Sequence, residues 1–231
     1  MAHTTFSTLI APVTVEPRHL LAKASSAMKW SFFESALHLS NSYLLFAPGH
    51  IEAQLIRAYS LLHLGEEQEA RELFTKLMYR YPGSVSCLLG LADYYRVGMD
   101  YDLAEGLFFQ ALEMASDENT KCDIIIRLSE LYVLKGELEL ALKTIGEALE
   151  MMPFEGMAHY QEGLVLLKMG NFEHAKRSFD ISIQLNKEHA ESYRLRARCW
   201  MMMNKVEYGL HDIKKAQHFE LERYRMLEAL A

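Results

Sequence analysis

A small residue returns along this chain at a nearly fixed interval, and that recurrence limits the fold more than any other feature. It stands at Ala36, Ala70, Ala104, Ala141, Ala175 and Gly209, with gaps of 34, 34, 37, 34 and 34 residues. The one unequal gap needs only a three-residue insertion near Asn119 to Lys121. Twelve residues before each member stands another small one: Ala24, Ala58, Ala92, Ser129, Gly163 and Ala197. Four residues after, a bulky side chain is usual, as in Phe74, Phe108, Ile145, Phe179 and Ile213. Glycine often stands five before (Gly65, Gly136, Gly170) and proline twelve after (Pro48, Pro82, Pro153). A period of this length marks supersecondary units that cannot bury their own apolar faces and so stack on their neighbours.

The unit is helical. Twelve glycines and five prolines in 231 residues leave little material for β-turns. Half of the chain is hydrophobic and 24% is charged, enough for both a core and a soluble surface.

These columns resemble the tetratricopeptide repeat. The match covers residues 17–223 as six units, 17–50, 51–84, 85–118, 122–155, 156–189 and 190–223. The resemblance implies an all-α fold: a right-handed solenoid of six antiparallel helix pairs with a C-terminal capping helix. Small residues at the eighth and twentieth positions let the two helices of a unit approach closely. The large residue at the twenty-fourth fills the gap toward the next unit. Glycine at the fifteenth ends the first helix, since it tolerates the left-handed conformation of a C-cap. Proline at the thirty-second stops the second helix. The outer units depart from this pattern, with Ser31 and Ser40 in the first and Asn204 and Gly209 in the sixth. Terminal units have only one neighbour to pack on. Residues 1–16 read as an extended or mobile arm. Phe219 to Ala231 reads as a short amphipathic helix, so that 224–231 ends the cap.

Catalytic chemistry finds no footing. The chain lacks G-x-x-x-x-G-K-[ST], G-x-G-x-x-G and G-x-S-x-G. His50 and Glu52 form H-x-E without a following P-C-x-x-C, and no H-E-x-x-H occurs. His211 and His218 lie two turns apart on one predicted helix and read as solvated or partly buried. Met201, Met202 and Met203 read first as irregular core filler. No enzyme activity, cofactor or metal is expected.

A net charge of −7 argues against nucleic acid as partner, because phosphate binding needs accumulated Lys and Arg. No segment reaches the ~18 apolar residues of a membrane span. Met1 to Val15 lacks a charged start, a long apolar stretch and a cysteine for lipid attachment. Cys87, Cys122 and Cys199 show no C-x-x-C spacing and read as thiols in a reducing compartment. A cytoplasmic protein is the expectation.

The resemblance further implies that first helices line a concave groove, through positions two, five, nine and twelve of each unit. Position five is Leu21, Leu55, Leu89, Ile126, Tyr160 and Arg194. Position nine is Ser25, Tyr59, Asp93, Glu130, Leu164 and Arg198. Position twelve is Met28, Leu62, Arg96, Val133, Leu167 and Met201. Two roles fit these leucines: packing between neighbouring first helices, or an apolar stripe that holds a peptide. Their persistence through successive units favours the stripe, and a protein or peptide partner. The acidic third and fourth units suggest a hydrophobic partner with basic flanks.

The tetratricopeptide domains that hold heat-shock C-termini need asparagines where this chain has Ser25, Ile56, Tyr59 and Gly90, so that clamp is not expected. Leu88-Leu89-Gly90-Leu91-Ala92, Tyr101-Asp102-Leu103-Ala104 and Lys135-Gly136-Glu137-Leu138 resemble class II chaperones of type III secretion. Those keep hydrophobic translocators soluble, although they resemble three repeats and not six. The alternative is a structural subunit that docks by its convex face or its ends. Trp30, Phe32 and Phe33 in the first unit would then serve assembly, including association of identical copies.

Overall fold

The computed structural model describes the backbone of residues 17–230 and the side chains of residues 18–225. The expected arm, residues 1–16, lies outside the described residues. Twelve helices and no strand occur among the described residues. They pair in sequence: α1 (Pro17–Lys29) with α2 (Phe33–Leu44), α3 (Ile51–Leu64) with α4 (Glu67–Arg80), and α5 (Val85–Val97) with α6 (Tyr101–Met114). The second half pairs α7 (Glu118–Lys135) with α8 (Leu138–Met151), α9 (Gly156–Lys168) with α10 (Phe172–Leu185), and α11 (Ala190–Met202) with α12 (Val206–Leu230).

The repeated columns do the packing. Ala24 and Ala36, Ala58 and Ala70, and Ala92 and Ala104 are completely buried where the helices of a unit meet. In the fourth unit Ser129 adds a hydrogen bond across this contact, its hydroxyl donating to the Ala141 carbonyl at 2.9 Å. The bulky column reaches both ways. A Cβ on Gly163 would stand 2.7 Å from the ring of Phe179 within the same unit, and one on Gly90 would stand 2.4 Å from the ring of Phe74 in the preceding unit. Phe74, Phe108, Ile145 and Phe179 have no exposed surface.

All six units end the first helix on a residue with positive φ: Ser31 (62°), Gly65 (86°), Met99 (63°), Gly136 (81°), Gly170 (79°) and Asn204 (60°). The three that lack glycine therefore keep the turn. The insertion winds into α7, which runs 18 residues and starts on an N-cap where Asp117 accepts from the Thr120 amide at 2.8 Å.

The end of the array differs from expectation. Phe219 does not begin a separate helix, because α12 is one continuous 25-residue element, the second helix of the sixth unit prolonged. No glycine or proline follows Gly209 to stop it. Arg196 ties this unit together, pairing with Asp212 of α12 at 2.7 Å and Asp180 of α10 at 2.8 Å.

Candidate functional site

The groove of first helices is far less apolar than its residue types suggest. Leu62, Leu89, Ile126, Val133 and Leu167 are buried in clusters with neighbouring helices, the packing role open to leucines at these registers. Leu21, Leu55, Tyr160 and Leu164 are half-buried and keep accessible surface. Arg194 and Arg198 are exposed at the sixth-unit end. The predicted apolar stripe is thus divided into two short stretches, one toward each end.

A charged cluster occupies the middle. Asp93 of α5 is only 2% exposed and is saturated with donors. Its Oδ1 accepts from Arg96 Nε at 3.1 Å, and its Oδ2 from the Tyr59 hydroxyl at 3.1 Å and from Arg127 Nη1. Arg127 also donates through Nε to Asp123 at 2.9 Å. Hydrogen-bonded charges of this kind tolerate burial that an isolated carboxylate would not. Burial, then the Asp93 charge, raises the Tyr59 phenol, which stays protonated as the donor the bond requires. Burial opposes the Arg127 charge, but Asp93, Tyr59 and Asp123 outweigh it and hold the guanidinium ionised. Burial likewise raises the Glu130 carboxyl, against the pull of Arg96 and Arg127.

This cluster joins three successive first helices, α3, α5 and α7. Beside it lies a cavity of about 270 Å³ lined by Met28, Tyr59, Leu62, His63, Asp93, Arg96, Val97 and Arg127. Since the Asp93 oxygens are taken, the donors left to a ligand are the partly exposed guanidinium edges of Arg96 and Arg127. Asp102 and Glu105 stand on α6, away from the groove, where Lys135 engages them at 3.4 and 2.8 Å.

Sequence reasoning missed Arg127 and Asp123. A signal was present in the 34-residue steps from Tyr59 to Asp93 to Arg127, and in the i, i+4 spacing of Asp123 and Arg127. The three cysteines are free and buried, with the Cys199 thiol pushed by burial up to about 11, which suits packing and not reactivity. Among the described residues, no group of three or more His, Cys, Asp or Glu is placed to hold a metal. No helix among them is long and apolar enough to cross a membrane.

The fold has relatives. A family model for the tetratricopeptide repeat-like domain matches residues 53–205. DnaJ homolog subfamily C member 7 of Homo sapiens is 24% identical over 203 residues, covering 81% of this chain, as is the Mus musculus protein. This chain spans 41% of the length of those relatives. Among solved structures, MamA is similar with a TM-score of 0.54 and 18% identity, over 73% of this chain and 96% of that one. Pseudomonas aeruginosa pilF is similar with a TM-score of 0.61 and 13% identity, over 93% and 97%. Such distant likenesses establish a fold, one generally used as a non-enzymatic scaffold for protein–protein interaction. With the matched model spanning well over half of its residues, the chain belongs to the tetratricopeptide repeat-like domain family.

Proposed function

We propose that this scaffold binds an extended or helical segment of a partner protein in the groove of first helices, with Arg96 and Arg127 at its centre. The arginine edges beside the cavity carry the proposal. They are held in place by a buried carboxylate, so little side-chain entropy remains to be lost when a ligand accepts from them. Half-buried Leu55 and Tyr160 supply apolar contact on either side. The fitting segment therefore presents acceptors, main-chain carbonyls or carboxylates, at its middle and apolar side chains toward its ends. That differs from the basic flanks suggested by the acidic third and fourth units, because Asp93 is already saturated with donors and Asp102 and Glu105 are engaged by Lys135. The likeness to secretion chaperones adds little about the partner. Leu88, Leu89 and Ala92 are core residues and Gly90 makes room for Phe74, roles that any such repeat needs.

The test compares proteins retained from the source organism by the wild-type chain, Arg96→Glu and Tyr160→Glu, followed by titration of the purified partner. Loss of the same partner from both variants, with helical circular dichroism unchanged, is the expected result. Retention by both variants removes the groove from consideration.

A second reading, docking of the array as a structural subunit, is favoured by one observation. Met99, Leu103, Leu134, Leu140, Met202 and Val206 are exposed in or within one helical turn of the connection between the helices of their units. Stacking sets equivalent turns along one edge, and an apolar edge of this length suits an assembly contact. Leu103→Lys with Leu134→Lys abolishes assembly on this reading and spares groove binding.

A further inference from the structure

The last helix is longer than its place in the repeat requires. The second helices α4, α6, α8 and α10 each run 14 residues, whereas α12 runs 25. As far as Phe219 the helix packs normally on its unit, with Ala216 buried and the Phe219 ring 5.6 Å from Tyr193. Beyond Glu220 it reaches the other end of the chain. The Arg223 guanidinium lies 5.2 Å over the Trp30 ring, and the Tyr224 ring is 6.1 Å from Phe32, both at the turn between α1 and α2. Glu220 pairs with Arg194, one of the groove positions.

This junction is thin. Tyr224 remains 63% exposed and Leu221 51%. Arg225 pairs with Glu222 on its own helix. Arg223 Nε is buried without a hydrogen-bond acceptor among the described residues, so part of its donor capacity goes unused. Contacts of this kind, a few ring and charge interactions with little apolar burial, belong to segments that open without global unfolding.

We infer that the distal part of α12 is an intramolecular latch, seated on the aromatic pair Trp30 and Phe32, that joins the last unit to the first and opens independently of the rest of the fold. The occupant is the chain's own helix, covalently held near its seat at high effective concentration, which lets so weak a contact persist. A consequence follows for ligands, resting on the groove reading above: Arg194 pairs with Glu220 as well as with Glu191, so a segment that draws on Arg194 at the sixth unit competes with the base of the latch. The latch itself stands on the junction alone.

Trp200→Phe leaves Trp30 as the lone indole of the full chain, which has two tryptophans. Acrylamide quenching of Trp30 and amide exchange across α12 then read the latch without any partner. Adding Arg223→Glu and Tyr224→Ala raises the quenching constant about twofold and speeds exchange in 219–225 about tenfold, while exchange in α3 to α10 is unchanged. Quenching and exchange the same in parent and variant overturn the latch. So does parent quenching that rises on hundredfold dilution, since the contact then lies between copies. If the double substitution also lowers helicity, Arg223→Gln applies the same criteria, removing the guanidinium while keeping a polar side chain of good helix propensity. Because no groove ligand is involved, failure here leaves the groove reading untouched, and its failure leaves the latch.

Discussion

At the scale of single residues, the backbone conformation that ends each first helix is kept even where the side chain opposes it. Met99 holds φ at 63° without the freedom of glycine, and its side chain is 73% exposed, so it returns little packing in exchange. A left-handed non-glycine residue costs about 1–2 kcal/mol, and glycine loses about 0.5–1 kcal/mol in extra unfolded-state freedom. Met99→Gly therefore stabilises the chain by about 0.5–1 kcal/mol, seen as a higher thermal midpoint; an unchanged or lower midpoint refutes it. Glu130 carries a different penalty. Burial raises its carboxyl above the ordinary value, so the folded state holds the proton more tightly than the unfolded chain does. Stability then falls as pH rises from the unfolded to the folded pKa, and the penalty is complete above both. Glu130→Gln is expected to stabilise the protein at neutral pH, and the difference should vanish below the ordinary carboxylate range. Urea melts across pH measure it, and a gain that persists in acid would show packing as its cause instead.

Between elements, two glycines with similar sequence surroundings have opposite duties. Gly90 faces α4, where a Cβ would come within 2.4 Å of the Phe74 ring, while Gly106 on α6 meets nothing within 4 Å. Gly90→Ala overpacks the joint between the second and third units and costs about 1–3 kcal/mol. Gly106→Ala removes backbone freedom at no steric expense and stabilises by about 0.5–1 kcal/mol. Chemical denaturation of both variants tests the pair, and equal effects would mean that α4 and α5 are not in this contact. The same elements show what could be read in advance. Unit register was legible because tight helix contacts admit only small residues at Ala58, Ala70, Ala92 and Ala104, a demand that survives divergence elsewhere. That the chosen positions fall on first helices was legible, but their burial was not. Whether Leu89 or Ile126 faces a neighbour or a ligand depends on how closely successive first helices approach, and one sequence does not encode that distance locally. Asp93 and Arg127 were separable from ordinary surface charges only by their register across units.

Over the whole molecule, packing is concentrated in the middle. One continuous cluster joins Leu88 and Ala92 of α5, Phe108 of α6, Ile124, Leu128, Leu131, Tyr132 and Val133 of α7, Ala141 of α8 and Val165 of α9. The fully buried part of the first-unit cluster is small, Ala24, Ala27 and Ala36 with Ile56, and the unit carries buried Ser40 where other units place Phe or Ile. The sixth-unit cluster is similarly small, around Ile183, Ala190, Tyr193 and Ala216. The contact between α12 and the α1–α2 turn joins residues almost the whole chain apart, and no local pattern announces it. In a stacked array, stability is close to a sum of unit and neighbour terms, so the ends should open before the centre unless something couples them. The junction of Arg223 and Trp30 supplies about 0.5–1 kcal/mol if it behaves as an exposed cation–π contact, too little to make the ends as stable as the middle. Native-state amide exchange is therefore expected to be slowest in α7 and fastest in α1, α2 and the distal part of α12, with protection differing about a hundredfold or more. Uniform protection along the chain would mean that unfolding is all-or-none, with coupling between units stronger than the unequal distribution of buried side chains implies.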